Sequence, residues 1–458
     1  MTPGGGVPVA GRTSRMASVR ARKWSGPPIA VFWDQSLPWG LLCVETLTTM
    51  GVPFHLITAS DITCGWLNRY RVLLVPGGWA SHKVRVLGEP GAAAIKDFVQ
   101  CGGSYLGFCG GAGLALASPP SIGLVSLERL GPEERLPSAS GEVWIGGEAG
   151  HPVWKDLPHT LPVSVWWPSQ FSLQPPVGSM CLGVYSATGS DFMVADLPVG
   201  DFGKAREPWE EWERIYGINL NPGRIMGHPA LVETHVGKGR LILSYPHLET
   251  PGDEWGNRLL LNCLTYLDAE ASRDVWRGEI FQGPAGRFER FPGGPALVRL
   301  DKALAKVDDL ISFGERHLFW RWRRPWLLQW TRGIRGLEYS ALAVGMRQMH
   351  AMARETSGEV GAAAGWLEDL DVLGDDIETF CNLAKMLLIL EKVAGRGGGL
   401  PKLGEVNEGV DELRDRLFGK HMNHGGLCKA LFDRIEGLIL DIVRLDPRPR
   451  EHLTGSTG

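Results

Sequence analysis

Short segments of this chain carry side chains that could do chemistry together. They are Cys109 within Gly107-Phe108-Cys109-Gly110-Gly111, His247 and Glu249 within Tyr245-Pro246-His247-Leu248-Glu249, and Gly77-Gly78 after Val75-Pro76. Cys109 lies where an apolar run, Ser104 to Phe108, gives way to a small-residue run, Ala112 to Ala117. The pattern predicts a short buried strand turning sharply into a helix. A nucleophile on such a turn is held on a strained bend, and small neighbours are needed because other backbone comes close. Free N–H groups and the positive dipole end of the helix favour thiolate. The same pattern also fits a buried structural cysteine beside a tight turn, since free Cys is among the most buried residue types. His247 and Glu249 are two apart, and in extended backbone such residues project to one face. Glu249 can then orient an imidazole that takes the thiol proton and later returns it. Acyl transfer also needs donors for the developing oxyanion. The N–H of Gly110 follows the nucleophile, and Gly78 can present a second, although Pro-Gly-Gly also fits an ordinary turn.

These residues need a frame that brings distant segments together. Apolar runs at Ile29–Trp33, Val52–Ile57, Arg71–Val75, Ser104–Phe108 and Leu241–Ser244 read as strands. Helical spacing is predicted at Trp39–Met50, Gly91–Cys101 and Asp253–Asp268. Alternation of this kind points to an α/β fold with a mostly parallel sheet covered on both faces. In such sheets reactive residues lie at the carboxyl ends of the strands, where Cys109, Gly77-Gly78 and His247 all fall. Between them, short β-like runs at Glu142–Gly146, Val163–Trp167, Cys181–Tyr185 and Phe192–Ala195 alternate with loops rich in Trp, and are expected to wall the site. From Ala296 the pattern turns helical, near Ala296–Trp320, Trp326–Thr356, Val360–Val393 and Val406–Leu445, which suits an all-α bundle.

The 458 residues allow two to three domains at about 100–200 residues each. A net charge of −4 predicts neither nucleic acid nor membrane as partner. The eight cysteines show no CxxC pair and no Cys/His ligand spacing, so reduced thiols in a cytoplasmic setting are expected, with no metal. No apolar run reaches the ~18 residues of a transmembrane helix. Residues 1–28 are basic, lack the apolar stretch of a secretory leader, and read as a disordered tail. Phe319 to Trp330 interleaves Trp with Arg, which fits base stacking, a membrane surface or, more simply, a helix–helix corner with Arg over Trp faces. Asp369, Asp371, Asp375 and Asp376 fit no cation-loop spacing, and His421 and His424 have no third ligand in view.

Val75-Pro76-Gly77-Gly78, the run from Gly102 to Ala112, and Ser244-Tyr245-Pro246-His247-Leu248-Glu249 together resemble the class I glutamine amidotransferase-like superfamily. Within it they are most similar to the N-terminal domain of eukaryotic biotin–protein ligases, as are Gly237-Lys238-Gly239-Arg240 and Trp166-Trp167-Pro168-Ser169-Gln170-Phe171. The resemblance spans about residues 28–270. It implies a flavodoxin-like sandwich, the domain expected over 29–280; composition, rather than the resemblance, marks a Gly/Pro-rich linker at 281–295 and an α-helical domain at 296–450. It also implies a Cys109–His247–Glu249 triad, an oxyanion hole at Gly78 and Gly110, and a substrate pocket lined by Trp79, Gly77, Trp167 and Gln170. No cofactor is implied. Gly113 stands where glutaminase members carry Gln, which argues against glutamine hydrolysis, and no adenylate-binding signature of a biotin ligase is present. The expected function is thiol-dependent cleavage of an amide-type C–N bond in a small molecule. The alternative is a non-catalytic small-molecule-binding module whose helical segment docks a protein partner.

Overall fold

The structure, a computed structural model, describes residues 28–147, 150–173, 176–202, 209–270, 284, 293–356, 364–395, 405–420 and 425–445. Residues 1–27 of the basic tail, most of the 281–295 linker and the His421/His424 pair lie outside them.

One sheet of 11 strands organises the N-terminal region. Its strands are β1 (Ile29–Phe32), β2 (Phe54–Ile57), β3 (Val72–Val75), β4 (Ser104–Phe108), β5 (Ala139–Gly147), β6 (Thr160–Trp166), β7 (Met180–Thr188), β8 (Met193–Val194), β9 (Leu197–Pro198), β10 (Pro229–Val236) and β11 (Gly239–Ser244). They run in the order β2-β1-β3-β4-β11-β10-β7-β5-β8-β9, with β6 beside β5. The half from β2 to β11 is parallel throughout. From β11 outward the pairing is antiparallel. The chain is thus α/β around a parallel, flavodoxin-like core. The wall strands expected between 142 and 195 extend the same sheet. They are spliced to it by β10, a strand that the sequence pattern does not single out.

Alternation along the buried strands separates two cores, because successive side chains of a strand point to opposite faces. Ala30, Phe32, Leu73, Val75 and Tyr105 face a core with Leu87, Ile95 and Phe98 of the Ala80–Gln100 helix. Val31, Val72, Leu74, Leu106 and Phe108 face the other, with Leu41, Leu42 and Leu47 of the Trp39–Thr49 helix and Leu260 and Leu264 of the Glu254–Glu270 helix.

That second core continues without a break into the helical segment, through Leu300, Leu310, Leu342, Leu373, Leu431 and Ile435. Its helices are Gly294–Arg316, Gly336–Thr356, Ala364–Ala394, Glu408–Phe418 and Gly426–Leu445. One expectation fails here. The Trp/Arg stretch is neither helix nor helix corner but a hairpin of β12 (Trp320–Arg324) and β13 (Leu327–Trp330). Trp320-Arg321-Trp322-Arg323 alternates with period two, and aromatic residues favour strands. Pro325 falls at the turn, where its fixed φ is tolerated. The hairpin leans on the α/β region: Arg323 donates to Ser140 Oγ at 2.9 Å, and Arg324 pairs with Asp191 at 2.6 Å.

Candidate active site

β4 delivers Cys109 to the carboxyl edge of the sheet. The residue has φ +46° and ψ −104°, a left-handed conformation that a side chain adopts only under strain. It is held there from both sides: Cys109 N donates to Ser244 O of β11 at 2.7 Å, and Gly113 N donates to Cys109 O at 2.8 Å. The glycines around it answer to backbone. A Cβ on Gly110 would lie 1.7 Å from Gly78 O, and one on Gly111 would lie 2.0 Å from Val75 O. The glycine-rich run is therefore the contact surface between the elbow and the Pro76–Trp79 turn. Gly113 is different, since a Cβ there would meet only Ala80 Cβ at 3.8 Å. Gly113→Ala is therefore expected to fold normally and gain up to about 1 kcal/mol from helix propensity, read as a higher urea midpoint. An unchanged or lower midpoint would show that the site needs glycine there.

β11 leads into the segment that carries His247 and Glu249. Beyond Ser244 the chain is pinned at each residue: His247 N donates to Ser164 O at 2.8 Å, and Thr250 Oγ1 donates to His247 O at 2.8 Å. Thr46 Oγ1 donates to Glu249 O at 2.8 Å, and Asn257 Nδ2 donates to Leu248 O at 2.8 Å. His247 Nδ1 and Glu249 Oε1 are 2.8 Å apart, with each residue 1% exposed. An ionised carboxylate only accepts, so the ring proton of this contact belongs to Nδ1. Burial disfavours the imidazolium, but the Glu249 carboxylate and then the Cys109 thiol outweigh it, and His247 is pushed up to about 10. His247 Nε2 is buried and has no hydrogen-bond partner of ordinary geometry. It is the ring atom left to serve the thiol.

The oxyanion candidates sit together. Gly78 has φ +107°, open to glycine alone, and its carbonyl packs against Gly110. Among the described residues neither the Gly78 nor the Gly110 amide has a main-chain acceptor.

The pocket residues divide. A Cβ on Gly77 would lie 2.7 Å from His247 Cε1, so the imidazole packs directly on this glycine. Trp79 is half-buried where the Ala80–Gln100 helix begins. Trp167, with φ +55°, offers its carbonyl to Cys109 Sγ at 3.8 Å. Gln170 is an internal brace instead: its Oε1 accepts from Leu136 N at 2.7 Å and its Nε2 donates to Arg224 O at 2.9 Å. A polar side chain beside an aromatic pair gives no sign in sequence of whether its amide is free.

Sequence reasoning placed Trp167 at the site but missed Trp39, Trp326 and Trp330 around it. The Trp39 ring lies 4.6 Å from the His247 ring and 6.0 Å from Trp326 of the hairpin turn. Trp326 meets Trp166 edge-on at 4.7 Å, and Trp330 stacks on Trp167 at 5.5 Å. The one signal was the count of 18 Trp residues. A cleft of about 610 Å³ runs between the Thr250–Glu254 loop and the hairpin, lined by Ser164, Asp253, Arg324, Trp326 and Arg347, and does not include Cys109. His247 does not line it either. Among the described residues no group of three or more His, Cys, Asp or Glu is arranged to hold a metal. Nor is any described helix long and apolar enough to cross a membrane.

Residues 43–118, which carry the Gly77-Gly78 turn and the Cys109 elbow, match the family described as "Biotin-protein ligase, N terminal". Solved structures similar in fold include a putative ThuA-like protein from Bacteroides uniformis (13% identity, 55% of this chain and 96% of that one, TM-score 0.34). A glutamine amidotransferase from Thermotoga maritima is similar at 11% identity over 54% of this chain and 84% of its own, TM-score 0.29. A glutamine amido transferase from Methylobacillus flagellatus is similar at 12% identity over 56% and 99%, TM-score 0.30. No curated protein matches the chain.

Proposed function

We propose that the α/β region is a thiol-dependent enzyme that cleaves an amide-type C–N bond. The observation that carries the reading is the strained Cys109 beside the buried His247–Glu249 pair. Cys109 Sγ attacks the amide carbonyl, and the developing oxyanion is met by the Gly78 and Gly110 N–H groups. As the C–N bond breaks, His247 gives its proton to the departing amine and a thioester remains on Cys109. Water then attacks the thioester, His247 takes a proton from it, the C–S bond breaks, and a carboxylic acid leaves with the thiol restored. Glu249 holds the imidazole in one tautomer and favours its charged form through both halves. Gly113 in place of Gln supports an amide other than that of free glutamine as substrate.

Alkylation of the intact chain with iodoacetamide, with the adducts located by mass spectrometry, tests this. Cys109 is expected to react faster at pH 7 than the exposed Cys64 and Cys101. His247→Gln is expected to slow Cys109 by about tenfold or more without altering the other two. Because His247 holds its proton up to about 10, the ratio of wild-type to variant rate should be largest at neutral pH and narrow as pH rises toward that value. Equal rates at pH 7 would remove the base from the reading. A ligand that binds wild type and Cys109→Ala equally well, with no turnover, would favour a binding module.

A further inference from the structure

We propose that Glu436, on the last described helix, Gly426–Leu445, is a positioning residue for the Cys109 site. Its carboxylate accepts from the main-chain N–H groups of Gln35 at 2.9 Å, Ser36 at 2.8 Å and Leu37 at 2.9 Å. It thereby fixes the loop that seats Trp39 on His247 and Gln35 on Gly78. The inference rests on the reading of Cys109 as a nucleophile.

The loop joins β1 to the Trp39–Thr49 helix; Ser36 Oγ donates within it to Phe32 O at 3.0 Å, but the N–H groups of residues 35–37 find their acceptor outside it. Gln35 is left-handed at φ +58°, and the helix that follows has Pro38 at its N-cap, with no side-chain cap bond. Its successive N–H groups therefore converge without a local acceptor, and convergent amides of this kind form a nest for an anion. The anion comes from 400 residues away. Glu436 is 6% exposed, and water does not compete freely for it. Lys83 supplies the counter-charge: its Nζ donates to Ser36 Oγ at 2.5 Å and to Asp34 O at 3.4 Å. Burial pushes Glu436 up to about 7 and Lys83 down to about 7, and the amide nest and Lys83 restrain the first shift while Glu436 and Asp34 restrain the second.

Both ends of the loop touch the chemistry. Gln35 O lies 2.6 Å from where a Cβ on Gly78 would be, and Lys83 Cε lies 3.6 Å from the same point. Gly78 is the second oxyanion candidate, so the loop sets how deeply its N–H reaches into the site. At the other end, Trp39 covers the imidazole face at 4.6 Å. The helix itself docks through a separate bond, Trp33 Nε1 to the Glu436 carbonyl at 2.9 Å, which a side-chain substitution leaves in place. Carboxylate and docking are thus separable by mutation.

The test compares iodoacetamide rates at Cys109 in wild type, Glu436→Gln, Glu436→Ala and His247→Gln, with Cys64 and Cys101 as internal references. Glu436→Ala is expected to slow Cys109 by about tenfold to a hundredfold while the references hold. Glu436→Gln, which keeps an acceptor for part of the nest, should fall between and stay folded if the alanine variant does not. In a His247→Gln background, Glu436→Ala should add no further loss, which a general loosening of the fold would not reproduce. A wild-type rate at Cys109 in a folded Glu436→Gln or Glu436→Ala chain overturns the proposal alone. A wild-type chain in which Cys109 reacts no faster than Cys64 and Cys101 overturns the nucleophile reading, and the proposal falls with it.

Discussion

A Glu249→Gln chain is expected to lose its reactive thiol while keeping its fold. Burial is the largest single influence on His247 and opposes its charge, so the elevation to about 10 depends on the Glu249 carboxylate, with the Cys109 thiol second. Glutamine is the same size and can still meet Nδ1, but it carries no charge. His247 then becomes neutral near pH 7, and the amide no longer enforces the tautomer that leaves Nε2 facing the thiol. In a triad of this logic, neutralising the orienting acid has cost about 10⁴ in turnover with geometry intact, a figure from a serine protease. For alkylation, which asks only for thiolate, we expect a fall of about tenfold or more at pH 7. A stability slope accompanies it. The folded-state value of His247 lies above its ordinary 6.5, so the folded chain binds more protons in that window. The stabilisation is fully present below about 6.5 and is lost as pH rises toward about 10. Melting temperatures across that range should decline for wild type and stay flatter for Glu249→Gln. Parallel curves together with an unchanged alkylation rate would mean that the carboxylate does not act through the imidazole.

Gly110→Ala is expected to be the most damaging glycine-to-alanine change among the described residues. The new Cβ would lie 1.7 Å from Gly78 O and 2.7 Å from Gly78 C, both main-chain atoms that cannot swing aside as a side chain would. Either the elbow or the Pro76–Trp79 turn must move by more than an ångström. The elbow is tied to Ser244 O by the Cys109 amide, and the turn is backed by Gln35 O. Overpacking of this kind costs about 1–3 kcal/mol where side chains can yield, and the backbone clash should reach or exceed the upper end. Urea unfolding reads the loss of stability, and iodoacetamide reads the displaced thiol. The contrast with Gly113→Ala, three residues along the same run, makes the test specific. If both glycines tolerate alanine alike, the contact between elbow and turn is not as close as described.

The parallel half of the sheet was legible because its strands are short apolar runs broken by glycine, and because period-two alternation assigns each side chain to a face. Cys109, His247, Glu249 and Gly78 were legible for a related reason. Each lies within a few residues of a strand end, and a parallel sheet brings strand ends to one edge whatever the loops do. The antiparallel extension was only half visible: β5 to β8 showed as separate runs, but nothing local said that β10 would join them to the core. Gln170 looked like a pocket residue because its partners, Leu136 and Arg224, are more than thirty residues away on either side.

The helical segment is where sequence reading ran out. Its amphipathic stripes predicted helices correctly in most of their length, yet Trp320 to Trp330 hid a period-two hairpin among long period-3.6 neighbours. More consequential is where that segment sits. Composition and periodicity determine that most of the described stretch from 296 is helical and that Cys109 lies on a sharp strand-to-helix turn. Only the tertiary structure decides that Trp326 and Trp330 close over the Trp39–Trp167 surround and that the Glu436 carboxylate fills a nest of amides beside Gly78. Local propensity and patterning act over a few residues and leave their mark in the sequence. A carboxylate meeting amides 400 positions away is set by how two buried faces pack, and no short window of sequence records it.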